Sequence, residues 1–144
     1  MLGSNSAGSA DPLPSAGVVL LHGLGSNRAT MAYIDHALKQ AGYDTLRLSY
    51  PSRKHILPEL ADGLAPDINV FAETISGPLH FVTHSLGGLV VRSFLERHSP
   101  KRMGRVVMLG PPNGGSELAD LVTQLGLDQV LLGKVGGDLA TRCP

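Results

Sequence analysis

The sequence is poor in several things, and each shortage excludes something. It has one cysteine, Cys143, so no intrachain disulfide and no thiolate metal cluster can form. It has no excess of charge: Lys plus Arg is 12, Asp plus Glu is 12, and the formal net charge is zero. A surface built for phosphate backbones would be basic, so nucleic acid is not expected as a partner. Neutrality also leaves self-association unopposed. No apolar run approaches the roughly 18 residues that a membrane span requires. Residues 1–17 lack both a basic segment and an apolar core, so they read as a flexible leader of Gly, Ser, Ala and Pro and not as a signal peptide. The compartment stays unassigned, with the cytoplasm as default.

What is present is an ordinary globular composition, with 42% hydrophobic and 17% charged residues over 144 positions, enough for one domain. The run Val18-Val19-Leu20-Leu21, ended by His22-Gly23, reads as a buried strand. Ser26 or Asn27 can cap a helix over 29–41, where Met31, Ile34, Leu38 and Ala41 recur at helical spacing and Gly42 ends it. A second strand is expected over 44–48. Pro58, Gly63 and Pro66 interrupt the next stretch, leaving 67–75 as its best helical piece. Then follow a strand at 79–83, a helix at 86–98 with Leu86, Leu89, Val90, Val91 and Phe94 inward, a strand at 105–109 and a helix at 116–125. Strand and helix alternating at this spacing predict a mostly parallel sheet with helices on both faces, a three-layer α/β fold. Ligands in such sheets bind at the carboxyl ends of the strands.

Two motifs sit at such ends. Thr83-His84-Ser85-Leu86-Gly87-Gly88 joins a strand to a helix, as a nucleophile elbow requires. A serine on a sharp turn projects its hydroxyl, small residues let strand and helix approach, and the helix N-terminus aims free N–H groups at a developing oxyanion. Thr83 stands where the G-x-S-x-G pattern has glycine. The plainer alternative is that Ser85 only caps the helix. The second motif, His22-Gly23-Leu24-Gly25, follows the first strand. Backbone N–H groups of Leu24 and Leu86 would form an oxyanion hole, with His22, Gly23, His84 and Gly87 in support. Dinucleotide binding is disfavoured, because Gly23-Leu24-Gly25-Ser26-Asn27-Arg28 lacks the third glycine of G-x-G-x-x-G.

With these residues, 18–24 and 81–92 resemble bacterial lipases and esterases of the α/β-hydrolase superfamily, near the branch of triacylglycerol lipases and lipase-like inositol deacylases. Pro111-Pro112-Asn113-Gly114-Gly115-Ser116 resembles the segment entering the lid, and the likeness extends over 18–132. The resemblance implies a carboxylic ester hydrolase acting on an ester or lipid through Ser85 and an acyl-enzyme, with no cofactor and no metal. It also implies an acid and then a histidine after Ser85. Only His98 follows, about 20 Å along the same helix, and His84 diverges from Ser85 on the turn. His36, His55 and His80 have no motif around them, and Asp120, Asp128 and Asp138 follow no recognisable strand. The expectation is therefore an incomplete domain: a leader (1–17), then a partial hydrolase domain with the start of a lid (18–144), its sheet ending after about four strands. Its last strand would be an open edge prone to self-association. Leu24, Tyr50 and 121–132 could line an acyl pocket, though any core uses such residues. A non-catalytic binding module, or an amidase or thioesterase of the same fold, remains the alternative.

Overall fold

The computed structural model describes residues 15–110. The 116–125 helix, the 111–116 loop, the 121–132 part of the acyl pocket, the three later aspartates and Cys143 lie outside them. The order is β1 (Gly17–Leu21), a 3-10 turn (Arg28–Met31), α1 (Ala32–Gln40), β2 (Asp44–Leu48), α2 (Leu57–Thr74), β3 (Leu79–His84), α3 (Leu86–Arg97) and β4 (Met103–Leu109). The four strands form one parallel sheet in the order β2-β1-β3-β4. All five residues of β1 are buried, as a central parallel strand covered on both faces demands.

One face of the sheet packs on α2 and α3 around Val19, Leu21, Ile68, Phe81, Val90 and Phe94. The other packs on the 3-10 turn and α1 through Val18, Leu20 and Met31. Among the described residues β4 is an edge strand, and its Val107 and Leu109 are 49% and 40% exposed. Leu21 pairs in register with both Leu48 and Thr83, so the segments that follow β1, β2 and β3 emerge side by side.

Three expectations are corrected. The 29–41 helix opens as a 3-10 turn capped by Asn27, whose side chain accepts from the Ala29 N–H at 2.8 Å. Ala41 is exposed; the buried residue on α1 is instead Asp35, paired with Lys39, Arg47 and Thr45. The helix expected at 67–75 runs through all 18 residues of α2. Pro58 sits in its first turn, where its missing N–H costs nothing. Pro66 forfeits one internal bond, but Leu60, Ala61, Leu64, Ala65, Ile68 and Ala72 form a continuous buried stripe that outweighs it. The Arg102 guanidinium donates to the Ala72 and Ile75 carbonyls at 2.7 and 2.9 Å and so closes the C-terminal end of α2. Finally, residues 15–17, expected in the leader, belong to the fold: Gly77 N–H donates to Ser15 O and Asp44 N–H to Ala16 O, and Gly17 opens β1.

Candidate active site

Ser85 lies between β3 and α3 with φ 51° and ψ −119°, a left-handed conformation that side chains rarely adopt. Such strain persists only where the surroundings impose it. Here the Ser85 N–H donates to the Leu109 carbonyl at 2.9 Å, and the helix begins at once with Leu86. Gly87 explains how strand and helix come so close. A Cβ there would stand 2.8 Å from the Leu21 carbonyl oxygen and 3.0 Å from that of His22, both backbone atoms. Ser85 makes no side-chain cap bond to α3, so the capping alternative is not what the hydroxyl does. As the first residue of α3, Leu86 has no intrahelical acceptor for its N–H. Thr83 is fully buried beneath the turn, and its hydroxyl has no hydrogen-bond partner among the described residues.

The loop after β1 comes directly against this turn. A Cβ on Gly23 would lie 3.1 Å from His84 Nδ1 and 3.3 Å from Ser85 Cβ, so a side chain there would require these neighbours to give by a few tenths of an ångström. Leu24 is partly buried against the main core. The two N–H groups that follow its own, those of Gly25 and Ser26, donate to Ser52 Oγ at 2.9 Å and Gly23 O at 3.3 Å, whereas the Leu24 N–H has no protein acceptor among the described residues. The structure thus brings His22, Gly23, Leu24, His84, Ser85, Leu86 and Gly87 together.

His22 is fully buried and fixed on every side. Its Nδ1–H donates to the Gly23 carbonyl at 2.7 Å, and its Nε2 accepts from the Tyr50 N–H at 3.3 Å. Its ring stacks on that of Tyr50, centroids 4.2 Å apart and planes 8° from parallel. Burial lowers its pKa, with the Gly23 bond opposing, so the ring is held neutral. Burial likewise raises the Tyr50 hydroxyl, which stays protonated and donates to the His22 carbonyl. The Tyr50 hydroxyl is therefore spent on the loop. A cleft of about 630 Å³ does open beside it, lined by Tyr50, Leu60, Leu64, His55, Glu59 and Asp67 among others, but neither Leu24 nor Ser85 lines it. The sequence reading missed the Tyr50–Ser52 clamp, since only Pro51 marks that segment and no spacing links it to residue 22.

Four other histidines are occupied elsewhere. His36 meets Gln40, His55 pairs with Glu59, His80 accepts from the Arg105 N–H, and His98 meets Asp62 while stacking on Phe94. Asp62 also takes a two-pronged grip from Arg97, and these two partners hold its pKa down at about 2. This Asp–His pair ties α2 to α3 at the far end of α3 from Ser85. Among the described residues no group of acids, histidines and cysteines could hold a metal ion, and no helix is long and apolar enough to cross a membrane.

This arrangement can be set beside known proteins. The fold is shared with the mature lipase BlEst2 of Bacillus licheniformis (27% identity, TM-score 0.58, covering 78% of this chain and 47% of that one). It is shared also with the monoacylglycerol lipase of Paleococcus ferrophilus (28% identity, TM-score 0.54, covering 76% and 46%). A putative thioesterase of Silicibacter sp. TM1040, at 20% identity and TM-score 0.61, shows the same fold and covers 77% of this chain and 45% of its own. The chain thus spans about half the length of these structures. No curated protein matches its sequence significantly. The sequence profile of the alpha/beta hydrolase family matches residues 18–140, most of the chain, and its fold is the one observed: the chain belongs to the alpha/beta hydrolase family.

Proposed function

We propose that this chain is the nucleophile-bearing part of a carboxylic ester hydrolase, with Ser85 as nucleophile and the N–H groups of Leu24 and Leu86 as oxyanion hole. The observation that carries the reading is the strained Ser85, at φ 51°, with Gly23 of the loop packed against its Cβ. Ser85 Oγ would bond to the acyl carbon, the ester C–O bond would break, and the alcohol would leave. Water would then release the acid from the acyl-enzyme and restore the hydroxyl. The two lipases at 27% and 28% identity favour an ester or lipid substrate.

The serine proton needs an acceptor, and no histidine hydrogen-bonds Ser85 among the described residues. Loss of a triad member costs up to about 10⁶ in turnover, while roughly 10³ over water survives on oxyanion stabilisation and binding. The expected behaviour of the 144-residue chain is therefore slow acylation with feeble turnover. The same lack of a paired histidine favours the second reading, a binding module that keeps the fold. Labelling by a fluorophosphonate separates them. Wild type should label slowly and Ser85→Ala not at all; equal labelling of both would remove Ser85 from the site.

A further inference from the structure

The segment after β2 does more than brace the loop. Ser52 is buried, accepts from the Gly25 N–H, and donates its own N–H to the Tyr50 carbonyl at 2.8 Å. Lys54 N–H closes the turn on the Pro51 carbonyl at 3.0 Å. Between them stands Arg53, its backbone fixed and its side chain exposed. Its guanidinium occupies the space that a side chain at position 25 would fill. A Cβ on Gly25 would meet Arg53 Nη2 at 2.5 Å, Nε at 2.9 Å and Cζ at 3.0 Å. Gly25 also has φ 67°, so glycine is favoured there twice over.

Among the described residues no acid pairs with this guanidinium. Glu59 faces His55 at 3.1 Å, and Asp62 is taken by Arg97 and His98. A planar fork of five N–H donors, suited to carboxylate or phosphate oxygens, therefore lies on the residue next to Leu24. Gly25 Cα is at most about 7.6 Å from that of Gly23, where an added Cβ would lie 3.3 Å from Ser85 Cβ. We propose that Arg53 makes this site select esters that carry an anionic oxygen group over neutral ones. The inference rests on the reading of Ser85 given above. For a separation on the order of 8 Å, a unit charge pair is worth between roughly two- and thirtyfold in rate, depending on whether the path is through water or along the protein surface.

The test uses two fluorophosphonates of equal length, one ending in a carboxylate and one in a primary amide, with the full chain. In each the Ser85 Oγ–P bond forms, the P–F bond breaks, fluoride leaves and the hydroxyl proton passes to solvent. The quantity read is the ratio of the two labelling rates. Wild type should favour the carboxylate about tenfold at low salt, and the ratio should shrink as salt screens the pair. Arg53→Ala should bring the ratio near one, Arg53→Lys should keep part of it, and Arg53→Glu should invert it, with circular dichroism confirming that each is folded. A ratio near one in wild type, or one unchanged in Arg53→Ala, overturns the inference and leaves the Ser85 reading standing. If neither probe labels wild type, the Ser85 reading falls and takes this inference with it.

Discussion

The loop after β1 and the turn after β3 meet where Gly23 touches Ser85, yet they are held by different means. The turn is short and held by backbone: the Ser85 N–H on Leu109 O, and Gly87, where an added Cβ would run into two carbonyls. The loop is held by side chains from another segment, Tyr50 and Ser52, acting through His22 and Gly25. A backbone-held turn tolerates little change in shape, because neither contacting atom can rotate away. A side chain-held loop depends on the protonation and reach of its partners. The difference predicts that the turn will be sensitive to volume and the loop to pH.

The largest effect should come from Gly87→Val. Helix propensity alone would favour valine slightly over glycine. The crowding at 2.8 and 3.0 Å, against atoms that cannot swing aside, should instead cost about 3 kcal/mol. Urea midpoints check it, and a midpoint at or above wild type would mean the turn is not crowded.

On the loop side the lever is His22. Its folded pKa is lowered, so between that value and about 6.5 the unfolded chain binds a proton that the folded chain refuses. The stability it supports is complete above pH ~6.5 and falls as pH drops below that. The geometry agrees, since a proton on Nε2 would displace the Tyr50 N–H. His22→Asn should flatten the stability profile on the acid side of pH 6.5; an identical slope in the variant would move the titration elsewhere.

The smallest effect, and of opposite sign, is expected at Thr83. It lies under the turn with a buried hydroxyl that bonds to nothing among the described residues. Thr83→Val keeps the shape and removes the unpaired group, and should add about 1 kcal/mol. A higher urea midpoint at unchanged slope is the expected result. A lowered midpoint would reveal that the hydroxyl has a partner beyond residues 15–110.

How much of this was legible follows from how each feature is encoded. Apolar runs of the right length betray buried strands, and all four strands stand where Val18-Val19-Leu20-Leu21 and its counterparts placed them, within two residues at either end. The turn at Ser85 is local, five consecutive residues with small ones at fixed offsets, and so reads directly. α2 was read too short because Pro66 and Gly63 are local breakers, while the burial that overrides them is supplied by α3 and the sheet, far away in sequence. Asp35 was overlooked because a carboxylate is costly to bury unless paired, and two of its partners, Thr45 and Arg47, lie on the next strand.

The sequence by itself determined the parallel α/β class and the two glycine-bearing motifs at strand ends, because strand period, helix period and turn chemistry are properties of neighbouring residues. Only the tertiary structure decided that Gly23 rests on Ser85, that Tyr50 and Ser52 grip the loop, and that the Arg53 guanidinium lies over Gly25. Each of these joins residues 27 to 62 positions apart, and such contacts arise only when β1, β2 and β3 line up in register and bring their carboxyl ends to one edge of the sheet.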